Sequence, residues 1–169
     1  MAEWRYGRGW NERELEERID ALKGMPFNFP LSGPESQFGR NWRRYYSESI
    51  IGIEKPGLPE PRGAFDIAWK AVTEYQFSDP GIVTGHFKPQ ESLQGRNMLL
   101  EVKVLGLRYL CGARVGRVRK VSSAEETQWG YRYDTLESHI ESGSEWFFLT
   151  KKHSTGEIWF RISASWRPG

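Results

Sequence analysis

The chain has 169 residues, and its 24 Lys and Arg against 22 Asp and Glu give a formal charge of +2. That length suits one domain whose core needs no staple, and so small a charge argues against a bulk polyanion binder. The lone cysteine, Cys111, excludes an intrachain disulfide, and no Cys/His run has the close ligand spacing of a zinc site.

The opening Met1-Ala2-Glu3-Trp4-Arg5 carries no apolar h-region, and no apolar run approaches the ~20 residues that cross a bilayer. The expectation is a soluble protein of a reducing cytoplasm. Eight Trp, seven Tyr and nine Phe make the chain 14% aromatic, a content that either fills a core or lines a small-molecule pocket.

In chain order, Asn11 and Glu14 form a capping-box pattern ahead of Leu15, Ile19 and Leu22 on one helical stripe, with Gly24 as a stop; this predicts a helix over 11–23. From Met25 to Gly39 the chain is rich in Pro, Gly, Ser and Asn, and Pro26, Pro30 and Pro34 forbid regular structure. This loop is expected to be pinned by Phe27 and Phe29, and irregular chain to continue to residue 44. Tyr45 to Ile53 reads as a strand, and the prolines and glycines of 56–63 as a turn. Residues 64–76 place Phe65, Ala68, Trp69 and Val72 at helical spacing with no internal Pro or Gly.

After Ser78-Asp79-Pro80-Gly81 come short β-like segments at 82–87, 97–105, 107–121, 127–134, 145–151 and 157–166. Their close spacing predicts antiparallel meander connections, since parallel crossovers need a dozen or more residues. Period-two alternation puts Leu100, Val102 and Val104 on one face, as it does Tyr109, Cys111, Ala113 and Val115; Trp129, Tyr131 and Tyr133; and Ile158, Phe160, Ile162 and Ala164. Trp69, Leu100, Val102, Tyr131, Phe147, Phe160 and Ile162 are therefore expected to share one interior.

The run Gly130-Tyr131-Arg132-Tyr133-Asp134-Thr135-Leu136-Glu137-Ser138-His139, with Gly143, Glu145, Phe147 and Ile158-Trp159-Phe160 beyond it, resembles the signature of the bacterial and plant family DUF1990. Pro26-Phe27-Asn28-Phe29, the segment Ala68 to Tyr75, and Ala113-Arg114-Val115 extend the resemblance over most of residues 14–168. Asp134 and Ser138 replace glycines of the signature, Ser144 replaces a Glu, and Ser165-Trp166 reverses the usual order. The resemblance implies an α+β, START-like helix-grip fold, a curved antiparallel sheet of about seven strands gripping one or more helices. Family members usually continue into a C-terminal helix that this sequence, ending at Gly169, lacks. Either the sequence is truncated or its N-terminal helix takes that place. One domain over 1–169 is expected, with the core in 45–168.

Within the motif, His139, Glu145 and Tyr133 are brought within reach by a short loop, and a carboxylate that orients a histidine raises its basicity for acid/base work. The plainer alternative is that His139 bonds loop backbone and Glu145 caps a turn. Thr135 suits an ST-turn, and Gly143 suits a positive φ at the return to the next strand. Arg114, of opposite parity to Cys111, Ala113 and Val115, is expected to face outward and pair with a carboxylate of a neighbouring strand. Trp4-Arg5-Tyr6-Gly7-Arg8 and Trp42-Arg43-Arg44-Tyr45-Tyr46 interleave bases with aromatics as single-strand platforms do, yet the small charge and the lack of a recognised motif disfavour nucleic acid. No phosphate loop or nucleophile elbow occurs.

Three functions remain open. The first is a module binding a small hydrophobic or lipid-like ligand in a cavity between sheet and helix, through Tyr131, Tyr133, Thr135, His139, Glu145, Phe147 and Phe160. The second is a small-molecule enzyme of cyclase, hydratase or hydrolase type using His139 and Glu145. The third is a protein-interaction scaffold with a filled core. None calls for a metal or cofactor, and oligomeric state is left open.

Overall fold

The computed structural model describes residues 3–31 and 41–169; the loop segment expected at 32–39 lies outside them. The elements are β1 (Glu3–Tyr6), α1 (Glu12–Ala21), β2 (Arg43–Ile53), α2 (Ala64–Thr73), β3 (Val83–His86), β4 (Asn97–Val104), β5 (Leu107–Ser122), β6 (Glu126–Thr135), β7 (Glu141–Lys152) and β8 (Glu157–Pro168). Strands pair in the order β2-β8-β7-β6-β5-β4-β3, antiparallel throughout, with β1 added to β5. The sheet curls into a half-barrel around α2, which is the helix-grip arrangement.

Local chemistry explains most of these elements. In α1 the Asn11 side chain accepts from Glu14 N at 2.9 Å while the Glu14 carboxylate accepts from Asn11 N at 2.9 Å, a complete capping box. The β4–β5 reversal is a two-residue turn in which Leu105 (φ 49) and Gly106 (φ 82) both take left-handed backbone, the geometry that matches strand twist. α2 has no cap of its own, because its N-cap is Gly63. Glu54, just past β2, supplies one from outside by accepting from Phe65 N at 2.7 Å.

The inner face, the one α2 covers, gathers Val72 and Tyr75 with Leu100, Ala113, Val115, Tyr131, Tyr133 and Phe147, and beyond them Phe65 with Leu149 and Ile158. Of the expected interior set, Leu100, Tyr131 and Phe147 are buried, and Trp69, Val102, Phe160 and Ile162 pack half-buried against the same cluster. Val104 keeps the parity of Leu100 and Val102 but, at the tip of β4, is 48% exposed rather than buried. The outer face is covered by α1, whose Ile19 joins Trp10 and Leu22 over Leu99, Leu110 and Leu136. So α1 does not stand in for a helix on the inner face. Leu99 and Leu110 have the opposite parity to Leu100 and Cys111, and their burial requires a cover on that side.

Several boundaries differ from expectation. β1 was not foreseen; it takes the side of β5 at Leu107–Leu110 that β6, pairing only from Ala113 onward, leaves free. The irregular stretch ends at Asn41-Trp42, because β2 already pairs with β8 at Arg43↔Trp166. β2 is the sheet's edge, with Tyr45, Tyr46, Ile50, Ile51 and Ile53 exposed. Among the described residues no helix follows β8, and no helix is long and apolar enough to cross a membrane.

Candidate functional site

The β6–β7 register sets Tyr133 directly opposite Glu145, so both side chains rise from the inner face side by side. The Tyr133 hydroxyl donates to Glu145 Oε2, and the Tyr75 phenol lies close to it. Tyr75 follows α2 in left-handed backbone (φ 56), and its ring lies where a Cβ on Gly85 would stand at 2.8 Å, so β3 must carry a glycine there. Burial is the main reason the Glu145 carboxyl is held above its ordinary range; the nearby charge of Glu141 adds to this, and the Tyr133 hydrogen bond opposes it. Burial also lifts both phenols far above their ordinary value, so Tyr133 remains a donor.

His139 sits in the turn from β6 to β7. Its backbone N donates to Leu136 O at 2.8 Å, and its Nδ1 accepts from Glu141 N at 3.0 Å. A ring whose Nδ1 accepts from an N–H carries its proton on Nε2, and burial lowers its pKa to about 4. No hydrogen bond or ion pair joins His139 to Glu145 among the described residues. The expected histidine–carboxylate pair is replaced by two separate pairs, because each group meets a nearer partner first.

These groups line a hollow of about 490 Å³ on the inner face, walled by Tyr75, Phe77, Leu100, Val102, Phe147 and Ile162, with Tyr133, His139, Glu141, Glu145 and Asp79 as its polar lining. An adjoining recess of about 230 Å³ shares Tyr133, His139, Glu141 and Glu145 and is bounded by Tyr45 and Trp166. Small-molecule sites start near 300 Å³, so the space admits a ligand. Among the described residues no group of three or more His, Cys, Asp or Glu is placed to hold a metal.

Residues 32–169 match the family model described as "Domain of unknown function (DUF1990)". The chain belongs to the DUF1990 family. β1 and α1 lie outside the matched span. Among solved structures, the crystal structure of Ara h 8.0201 is similar at 12% identity, with 75% of this chain and 78% of that chain covered and a TM-score of 0.40. None of the curated proteins matches.

Much of the DUF1990 motif is spent on holding the corner where β6 passes to β7. Thr135 Oγ1 accepts from Gly143 N at 2.8 Å and lies 2.6 Å from Asn28 Oδ1. Asn28 Nδ2 donates to Glu141 O at 2.8 Å. Thr135 thus makes no ST-turn: it bridges β6 to β7 and to the segment at Phe27–Asn28, which itself bridges to Leu136. Gly143 has no positive φ. It lies within β7, where a Cβ would stand 2.2 Å from Ser165 O, so β8's backbone is what requires glycine. Ser138, a departure from the family signature, uses its Oγ to accept from Gly112 N at 3.1 Å.

The remaining expected residues divide in the same way. Tyr131 is fully buried and donates to Val72 O at 3.1 Å, a carbonyl at the end of α2 that also accepts from Tyr75 N at 3.2 Å. Phe147 anchors the inner ring cluster with Tyr75, Phe77, Tyr131 and Tyr133, and Phe160 closes on Phe77 at 5.1 Å. Arg114 does face outward, but its partners are Asn97 Oδ1 at 2.8 Å and Leu22 O at 2.6 Å rather than a carboxylate. In the two basic–aromatic segments Arg5 pairs with Glu14 at 2.6 Å, and Arg43 lies over Trp166. Sequence reasoning passed over Tyr75, Phe77 and Glu141. The signal at hand was the apolar stripe of the 64–76 helix, which Tyr75 continues three residues after Val72.

Proposed function

We propose that this chain acts as one domain that binds a small hydrophobic or lipid-like molecule in the hollow between the inner face of the sheet and the segment following α2. The observation that carries this reading is an apolar hollow of about 490 Å³ whose polar groups gather around Tyr133 and Glu145, the composition expected of a ligand site. A scaffold with a filled core would leave no such space. Buried, unpaired Cys111 accords with a reducing cytoplasm.

The test is titration with the neutral fluorophore N-phenyl-1-naphthylamine, alongside native mass spectrometry of protein taken from its own host. Saturable fluorescence that Ile162→Trp abolishes, with the melting temperature retained, supports the reading. Equal fluorescence from the filled variant, or none from the wild type, refutes it.

A second reading rests on the Tyr133–Glu145 pair. A buried carboxyl kept toward its protonated form beside a phenol is suited to general-acid work. On this reading a cyclase, hydratase or hydrolase would use Glu145 and Tyr133, with neutral His139 as an Nε2–H donor.

A further inference from the structure

The charge lining this hollow differs from the rest of the molecule. The bases of the chain outnumber its acids, and elsewhere the less exposed carboxylates meet cations: Glu14 with Arg5, Glu54 with Lys151, Glu101 with Arg108, and Asp134 with Arg132. Around the hollow and its adjoining recess the titratable lining among the described residues consists of Tyr45, Tyr75, Asp79, Tyr133, His139, Glu141 and Glu145, with no Lys or Arg among them. None of its three carboxylates makes an ion pair among the described residues. Asp79 is engaged only within its own turn, accepting from Gly81 N at 2.7 Å.

Among these three carboxylates Glu145 sits beside Tyr133 on the inner face. Its Oε2 takes the Tyr133 hydroxyl, and its Oε1 has no hydrogen-bond partner among the described residues. His139 cannot offset the charge, because its Nδ1 is engaged by a backbone N–H and the ring stays neutral well below pH 7. Among the described residues the base that acts electrostatically here is Arg43 of β2, which lowers the Glu141 carboxyl against the effect of burial. The walls are rings and branched aliphatics: Phe77, Phe147, Ile162, and Tyr45 with Trp166 at the recess.

We propose that the occupant of this site is a cationic amphiphile, an alkyl or aryl amine whose apolar body lies on Phe77, Phe147 and Ile162 and whose ammonium group meets Glu145. This inference rests on the ligand-binding reading above. An ammonium group would satisfy Glu145 Oε1 with a charge-assisted hydrogen bond and would be attracted by the faces of the neighbouring rings. A carboxylate of equal length would be driven against Glu141 and Glu145, where like charges in a partly dry site repel. An alcohol would gain a hydrogen bond to the carboxylate without the attraction of opposite charges.

The binding is also pH-dependent. Glu145 is faced by Tyr133 from β6, Tyr75 from the segment after α2, and His139 and Glu141 from the β6–β7 corner, with Arg43 across on β2. Both phenols stay protonated, so the acid-side change comes from the two glutamates, whose carboxyls burial holds above their ordinary range. Protonating them as pH falls removes the anions that hold the amine.

The test titrates octylamine, 1-octanol and octanoate into the full chain at pH 7.5, by displacement of N-phenyl-1-naphthylamine. Octylamine should bind about tenfold or more tighter than octanol, the scale of one charge-assisted hydrogen bond, with octanoate weakest. Glu145→Gln should abolish that preference, bringing octylamine down to the level of octanol. For wild type, the amine preference should shrink at pH 5, a measurement that needs no variant to fold. Octanol or octanoate binding as tightly as octylamine overturns the amine assignment and leaves the hydrophobic-ligand reading standing. An amine preference that survives in Glu145→Gln, or that is flat with pH, also overturns it. Binding of none of the three, with no response to the fluorophore, removes both.

Discussion

Along the inner face of β7 the side chains Glu145, Phe147, Leu149 and Lys151 form one stripe, and its two ends treat a partly buried carboxylate in opposite ways. At the Lys151 end, Glu54 accepts from Lys151 Nζ at 2.7 Å, Phe65 N at 2.7 Å and Glu60 N at 3.2 Å, and these donors hold its carboxyl below the ordinary range although burial pushes the other way. Lys151 is fully buried and donates also to Leu58 O at 3.0 Å. Roughly 20 Å away along the strand, Glu145 has a phenol in place of a lysine, and its carboxyl is held above the ordinary range. The first end is a satisfied network that caps α2 and closes the trough. The second keeps one carboxylate oxygen without a hydrogen-bond partner among the described residues, beside the hollow, and on this contrast the proposed site rests.

The largest effect should come from breaking the satisfied end. Lys151→Met leaves Glu54 buried without its counter-charge and should cost about 3–5 kcal/mol in denaturant unfolding, whereas Lys151→Met with Glu54→Gln should recover much of that loss. A second comparison uses one residue type on one strand. Ile158 is 1% exposed against Phe65 and Leu149, while Ile162 borders the hollow. Ile158→Ala should cost about 2–5 kcal/mol and Ile162→Ala only about 1 kcal/mol, because a side chain that already borders space leaves little new cavity. Equal losses would mean that the hollow is filled in solution.

Acid sharpens the contrast further. His139 is neutral in the fold down to about pH 4 and titrates near the ordinary histidine value of 6.5 when unfolded. The unfolded chain therefore binds the extra proton first, and stability falls as pH drops from about 6.5 to about 4, by at most about 3 kcal/mol. Glu54, with its folded pKa lowered, begins to cost stability only below its unfolded value of 4.5. Glu141 and Glu145, whose carboxyls burial raises, gain stability as they protonate and oppose the His139 loss above pH 4.5. In melting curves His139→Gln should therefore turn the upper limb toward a gain and leave the lower limb in place.

The smallest effect carries the clearest sign. Replacing a carboxylate disfavoured by burial removes its desolvation cost, so Glu145→Gln should raise stability at pH 7 by roughly 0.5–1 kcal/mol, while Glu54→Gln should lower it. Destabilisation by both would show that the two ends are alike.

Some of this was legible in the chain itself. The Asn11–Glu14 capping box and the alternation of Leu100 with Glu101 or Tyr131 with Arg132 are periodic, local features, and they placed α1, α2, the main strands and the shared interior. The run from Gly130 to His139 likewise carried the family. What no local pattern contains is which element covers a face, or who stands opposite whom. α1 went to the outer face because Leu99 and Leu110 needed cover there, and β1 formed because β6 leaves part of β5 unpaired. The partner of Glu145 followed from the β6–β7 register, and the partners of Glu54 from a contact 97 residues away along the chain. Hydrophobic periodicity reports how one element divides its own surface, whereas the pairing of buried charges depends on distances between elements that only the closed sheet defines.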